Sequence, residues 1–381
     1  MQELDLDGLR QKVGADEFAL ARITTTYQPG GGPGSKVYPP TFPMSRDERS
    51  PYLIEDRTRD GASRKAAVLD QVPSEANRCE EALADAWRGG DIRLPMLRLT
   101  HSGATEAVIT GLIAPHRAFD AYWRDSLLAG IKFDKTELGR ALQAASSEDA
   151  SVLLQQDPGS LTYGSWNSHR KGRQAKFPRL YASEIVGWDP IEGSRKAGRM
   201  DPLNLVGSRS GEGDDWTYSA VGPKSVNGRL SEIGHGNIAP NPAHGGVTIT
   251  SATRFATLSL TALARVKFGS APQEQQRAAR VYLAAFALLG DRLAFGGPGL
   301  WLRSGCELVV EEEKLEWIGR GGVSEPFTLS REAAVTLYDQ ALEAALAIGV
   351  PINLDPVELT PSVSLSKAID FSLTKAEGAG D

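Results

Sequence analysis

Cysteine is nearly missing from this chain: Cys79 and Cys306 are the only two in 381 residues. That excludes a disulfide framework, a four-cysteine zinc site and an iron–sulfur cluster. Long hydrophobic runs are missing too. The most apolar stretch, AARVYLAAFALLG at 278–290, is too short to span a bilayer and contains Arg280. The opening MQELDLDGLRQKV has neither the basic start nor the apolar run of a secretory signal, so a soluble, cytoplasmic protein is expected. No fixed-period repeat supports a solenoid or propeller. HExxH, HxH and GxSxG are all absent, which leaves metal-dependent or serine hydrolysis without an anchor. A surplus of basic charge is lacking as well. The formal net charge is −6, which at the scale of the whole chain argues against nucleic acid and anionic membranes.

What is present is enough for a folded protein: 41% hydrophobic and 24% charged residues bury a sizeable core. The charge is also unevenly spread. Between His169 and Arg209 nine basic residues face four acids, a local +5 that leaves −11 on the remainder. Within this strip, 169–179 carries five cations and no acid. A basic strip on an acidic body supplies phosphate contacts that the net charge conceals.

Periodicity gives a coarse order of elements. ARITTTYQ at 21–28 alternates as a strand and breaks into the glycine- and proline-rich PGGGPGSKVYPPTFP at 29–43. Ser74 is placed as the N-cap of a helix that Gly89 and Gly90 end, and LPMLRLT at 94–100 reads as the next strand. Residues 104–157 read as mostly helical, with Phe119, Tyr122 and Trp123 spaced as a core stripe. FPRLYASEIVGW and WTYSAVGP are strand-like, and 247–268 suits a strand pair. One helix is expected from Ser270 and Pro272 to Gly290, another from Ser330 to Gly349 and Pro351, with a hairpin between them. EEEKLE at 311–316 reads as an exposed strand edge or turn. This order is α+β, without the regular alternation of a Rossmann sheet or TIM barrel.

Three segments carry candidate chemistry. GGGPGSK at 30–36 fails as a Walker loop, because Ser35 intervenes before Lys36, Val37 replaces the hydroxyl and Pro39 and Pro40 forbid the helix. It remains a glycine loop whose backbone and Lys36 can approach a sugar–phosphate chain. In SEANR at 74–78, Asn77 and Arg78 fall in the first helical turn, where a cation opposes the helix dipole unless an anion sits there. YGSWNSHRKGRQAKF at 163–177 joins Trp166, hydrogen-bonding Ser165, Asn167 and Ser168, and a run of cations, the mixture single-stranded nucleic acid requires. His169 in this loop is placed to act as a general base for RNA cleavage. His235 and His244 lack a third ligand at short range, so no metal site is expected.

Taken together, SEANR at 74–78, YGSWNSHR at 163–170, KFPRLYASEIVGWDP at 176–190 and GHGNIAPNP at 234–242 resemble the backbone subunit of CRISPR type I-G (formerly I-U) effector complexes. That family belongs to the RAMP superfamily. The similarity runs in matching order over roughly residues 15–365, with GSWNSHR and SEANR its most specific parts. The resemblance implies one elaborated domain over 1–381: a modified RNA-recognition-motif (ferredoxin-like) palm with a helical insertion at 104–157 and a thumb-like, glycine-rich insertion at 190–245. It implies a non-catalytic subunit of a Cascade surveillance complex, needing no cofactor, metal or membrane. Its partners would be the CRISPR guide RNA, the target DNA strand paired to that guide, further copies of itself in a head-to-tail filament, and other Cascade subunits. The implied RNA-binding residues are Lys36, Asn77, Arg78, Ser165, Trp166, Asn167, His169, Arg170, Lys171, Arg173, Lys176 and Arg179. The Gly-Phe-Gly-Phe signature of ordinary RNA-recognition motifs is absent, which favours gripping the backbone over stacking bases on the sheet. The competing reading is a RAMP-type endoribonuclease that processes CRISPR RNA through His169.

Overall fold

Alternation of Ala21, Ile23, Thr25 and Tyr27 with Arg22, Thr24 and Thr26 builds one long strand, and the rest of the sheet assembles around it. The computed structural model describes residues 3–44, 50–103, 106–167, 175–196, 198, 200–211, 215–220, 228–237 and 244–378. Its main elements are α1 (Leu6–Gly14), β1 (Phe18–Pro29), β2 (Ile54–Arg59), β3 (Ala62–Asp70), α2 (Val72–Gly89), β4 (Tyr181–Trp188), β5 (Ala252–Ser259), α3 (Gln273–Phe295), β6 (Gly299–Leu302), β7 (Cys306–Gly319), β8 (Ser324–Phe327) and α4 (Arg331–Ala347). The strands lie in the order β6–β7–β1–β5–β4–β3–β2, all neighbours antiparallel, with β8 also on β7. Along the chain the centre runs β1–α2–β4–β5–α3–β7, and in space its strands stand β7–β1–β5–β4. The molecule is α+β, as its element order predicts.

One face of this sheet packs against helices. α3 is buried from Val281 to Arg292, with an apolar run from Val281 to Leu289, because the sheet, α2, α1 and α4 surround it. A second sheet sets Leu97–Ser102 between Glu106–Thr110 and Val357–Pro361, and continues through Ser126–Leu128 to Ile131–Lys132. His101 Nε2 lies 2.7 Å from Asp370 Oδ1, fastening the helix Val363–Gly378 to that sheet.

Several sequence expectations shift. α2 starts at Val72 with Gln71 as its cap residue, so Ser74 lies inside the first turn instead of capping it; Pro73 extends the helix because a first-turn amide needs no partner. Gly90 ends that helix in the left-handed conformation, as expected. Gly290 does not end α3, which runs on to Phe295. A Cβ at Gly290 would stand 2.2 Å from the Tyr163 hydroxyl, so this glycine serves close approach, not termination. Residues 247–268 give a two-residue strand, Val247–Thr248, then β5 and a short helix, Leu260–Leu263, not a strand pair. The 104–157 stretch mixes strands with short helices; Trp123 is buried there and Phe119 and Tyr122 pack on the core. Of LPMLRLT only residues 97–100 enter a strand, Leu97–Ser102 of the second sheet. The hairpin β6–β7 and helix α4, capped by Ser330, form as read. EEEKLE lies in β7, and between its contacts with β6 and β8 residues 312–314 pair only with β1 among the described strands, with Glu311 at a register shift.

Candidate nucleic-acid interface

The chain leaves β1 through a turn in which Gly32 and Gly34 take positive φ of 87° and 81°, a geometry that favours glycine. Lys36–Val37 then pair with Val247–Thr248, which pair with Ile191–Glu192. Glycines let these backbones close up: Gly193 donates to the Gly246 carbonyl at 2.8 Å, and a Cβ on Gly245 would stand 2.1 Å from the Gly193 carbonyl oxygen. This small sheet, the first turn of α2 and the β6–β7 turn enclose a cleft of about 980 Å³.

Five cations line the cleft: Lys36, Arg78, Arg195, Lys196 and Arg303. Among the described residues that line it, Asp70 is the one acid. Lys36 Nζ donates to the Gly245 carbonyl at 2.8 Å, and Arg303 pairs with Glu81 at 2.6 Å across solvent-exposed side chains. Arg195 and Lys196 are exposed, with no carboxylate at ion-pair distance among the described residues. Tyr38 and Phe42 add aromatic faces that are 40% and 38% exposed, and Pro39 and Pro40 between them hold the segment extended. Cations for phosphates beside flat faces for bases are what a single strand needs. The sequence reading missed Tyr38, Phe42, Arg195, Lys196 and Arg303 as site residues. YPPTF at 38–42 was the available signal for the aromatics; nothing local marked Arg303.

Arg78 has an intramolecular anion. Its Nε bonds Asp70 Oδ2 at 2.6 Å and an Nη donates to the Trp301 carbonyl at 3.1 Å. Behind it runs a buried ionic chain that periodicity did not reveal. Glu75, on α2, lies 3.7 Å from Arg78 and 3.2 Å from Arg254, which is fully buried on β5. Arg254 also binds Asp291 and the Tyr181 hydroxyl, and lies 3.6 Å from the centre of the Phe295 ring. Asp291 passes the chain to Arg292, which bonds Glu313 at 2.7 Å. Burial opposes ionisation of Asp291, but Arg254 and Arg292 outweigh it and hold its carboxyl at about 2. Burial pushes Glu75 up to about 7 against the pull of Arg254, and Asp70 adds to the push.

The other candidate residues stand elsewhere. Ser165–Trp166 pairs with Lys176–Phe177 in a short hairpin, Asn167 donates to the Ala175 carbonyl, and Phe177 stacks on Phe119. Trp166 is half exposed. Arg179 crosses Gly164, whose φ is +85°. The hairpin feeds Tyr181, which is level with Leu258 and Ala21 near the start of β1; Gly187, Ala252 and Tyr27 mark the end from which β1 leaves toward Lys36. Six residues of strand, roughly 20 Å, separate the two levels. Lys36 and Arg78 therefore meet in one cleft, while Ser165, Trp166, Asn167, Lys176 and Arg179 sit at the opposite end of the sheet. Asn77 is exposed on α2 and does not line the cleft. His169, Arg170, Lys171 and Arg173 lie outside the described residues. Among the described residues no three His, Cys, Asp or Glu side chains gather as metal ligands, and no helix is long and apolar enough to cross a membrane.

An α+β protein with an aromatic-lined cationic cleft at one end of an antiparallel sheet is the class these features define. Residues 21–191 match the family model of CRISPR-associated protein GSU0053, a little under half of the chain. No curated protein matches. The family match supports a CRISPR-associated protein with a role in CRISPR defence. It takes in Lys36, Tyr38, Phe42, Arg78 and the 165–177 hairpin, and stops before Arg195 and Arg303.

Proposed function

We propose that this chain is a non-catalytic CRISPR RNA-binding backbone subunit of a type I-G Cascade complex, gripping the guide by its sugar–phosphate chain and associating head to tail along it. The observation that carries this reading is the convergence, among the described residues, of five cations from four separated stretches of chain on one cleft with a single acid in its lining. The β–α–β–β–α–β order of the centre, with strands β7–β1–β5–β4 side by side, supports a ferredoxin-like, RNA-recognition-motif palm. The glycine-rich 190–245 region, which lends Arg195 and Lys196 to the cleft wall, fits the thumb. Target DNA would be read by pairing to the held guide, and the remaining Cascade subunits would complete the complex.

Charge reversal tests the cleft. Lys36→Glu combined with Arg303→Glu is expected to weaken binding of a repeat–spacer RNA by at least about a hundredfold in fluorescence anisotropy, since each lost phosphate contact also gains a repulsion. Melting temperature should hold, because both side chains are at the surface. The RNA should run at full length after incubation with wild-type protein. Unchanged affinity would refute the cleft, and shortened RNA would favour the endoribonuclease reading.

A further inference from the structure

Among the described residues that line the cleft, the single acid is also the group that holds Arg78. Asp70 Oδ2 accepts from Arg78 Nε at 2.6 Å, and an Nη of Arg78 donates to the Trp301 carbonyl at 3.1 Å. The second Nη makes no hydrogen bond among the described residues, so it is left for a phosphate entering the cleft. A phosphate placed there also meets Asp70, and two anions around one guanidinium repel each other. A proton arriving with the phosphate relieves that repulsion.

A place for this proton lies directly behind Arg78. Glu75 is fully buried, and its Oε1 stands 3.7 Å from Arg78 Nε, beyond hydrogen-bond reach and without a partner. Its Oε2 is already engaged by the Ser183 hydroxyl at 2.6 Å and by Arg254 Nε at 3.2 Å. One Nε–H therefore stands between two carboxyls and satisfies only Asp70. A hydrogen on Oε1 turns that oxygen into a donor facing the Asp70 carboxylate. The other charged or titratable groups around Glu75 are Arg78 and Cys79 on its own helix, Arg254 on β5 and Tyr27 on β1. Asp291 of α3 and Tyr181 of β4 bind Arg254 from behind and compete with Glu75 for its charge. With burial already holding the Glu75 carboxyl at about 7, one further negative charge at Arg78 is enough to tip it.

We propose that Glu75 is a positioning residue behind Arg78 that takes up a proton as an RNA phosphate docks. Solvent supplies the proton, and it enters by way of Asp70, the carboxyl that borders the cleft. Once Glu75 is neutral, Arg78 is shared by Asp70 and the phosphate alone. This inference rests on the RNA-binding cleft proposed above and adds how its affinity follows pH. The complex holds the proton more tightly than the free protein, so affinity rises as pH falls toward about 7 and levels off below it.

The linkage is measured on full-length protein and a single-stranded repeat RNA without terminal phosphates, at constant salt. If docking makes the proton about ten- to a hundredfold harder to remove, binding should be roughly five- to tenfold tighter at pH 6 than at pH 8. Calorimetry at pH 7 in two buffers of different ionisation enthalpy should then show uptake of roughly 0.4–0.5 proton per subunit. Glu75→Gln stands in for the protonated carboxyl. It should bind at both pH values as wild type does at pH 6, and its uptake should fall away. His244, which also lines the cleft, titrates in the same range, so His244→Gln is the control and should keep the uptake. The control also decides the matter if Glu75→Gln does not fold: uptake retained without His244 supports the proposal, and uptake lost with it overturns the proposal. Wild-type binding with neither proton uptake nor pH dependence, or a Glu75→Gln variant as pH-dependent as wild type, would overturn it and leave the cleft standing. If wild type binds no RNA at either pH, the cleft itself falls and this linkage with it.

Discussion

Arg254 sits at the centre of the buried ionic chain, a guanidinium with no exposed surface between two carboxylates from different helices. Such a cluster gives little net stability over a well-packed apolar one, but it is unforgiving of a missing partner. Its members are Arg78, Arg254 and Arg292 against Asp70, Glu75, Asp291 and Glu313, so full ionisation would leave one uncompensated negative charge. The surroundings place a proton on Glu75. Its neighbours are Asp70 on β3, Arg78 and Cys79 on α2, Ser183 and Tyr181 on β4, Arg254 on β5, Asp291 on α3 and Tyr27 on β1, and its Oε1 is buried without a hydrogen-bond partner. With a folded value of about 7 against an ordinary 4.5, the folded state holds this proton more tightly than the unfolded chain. Its contribution to stability is therefore complete below about 4.5 and is lost as pH rises through about 7. Glu75→Gln, which cannot ionise, should flatten that loss. Urea unfolding of wild type near pH 5 and pH 8 should differ by roughly 1–3 kcal/mol from this site, and the variant should show the smaller difference. An equal pH dependence in both would place the proton elsewhere.

Among the elements, the strand β1 was legible because its threonines and isoleucine alternate, and α4 because Ser330 and Gly349 bracket it. α3 was legible in kind but not in length. A glycine near the end of an apolar helical run ordinarily marks its stop, yet Gly290 meets Tyr163, Leu83 and Cys79 at the crossing of α3 with α2. That contact partner lies 127 positions away and leaves no local trace. Gly290→Ala should destabilise the protein by about 1–3 kcal/mol, the steric clash outweighing the gain of about 1 kcal/mol in helix propensity. Adding Tyr163→Phe removes the clashing hydroxyl, and the nearest remaining atoms, Leu83 Cδ1 and Cys79 Cβ, would stand 3.3 and 3.4 Å from the new methyl. A thermal double-mutant cycle should show positive recovery; strict additivity would contradict the close-approach account.

The whole molecule explains why only two of the five cleft cations, Lys36 and Arg78, could be read beforehand. Lys36 and Arg78 came from local motifs, a glycine loop and a helix start, and the fold unites them. Arg195 and Lys196 were visible only as part of a charge count, and Arg303 arrives from a hairpin turn more than two hundred residues beyond Arg78. Conversely, the 163–179 block looked like one site with them because sequence does not show that β4 carries its two ends to opposite ends of the sheet. The net charge of −6 misled for the same reason: the acids are spread over the body while the cleft gathers cations.

The central claim is that this cleft holds RNA by its phosphates without reading sequence. Its most direct test is the salt dependence of binding to two single-stranded RNAs of equal length, a CRISPR repeat and its scrambled counterpart. If all five cations contact phosphates, log K should fall with log salt at a slope of roughly −3 to −4, at about 0.7 per contact on a single strand, with the two RNAs superimposing. A flat salt dependence, or an affinity that collapses on scrambling, would contradict it.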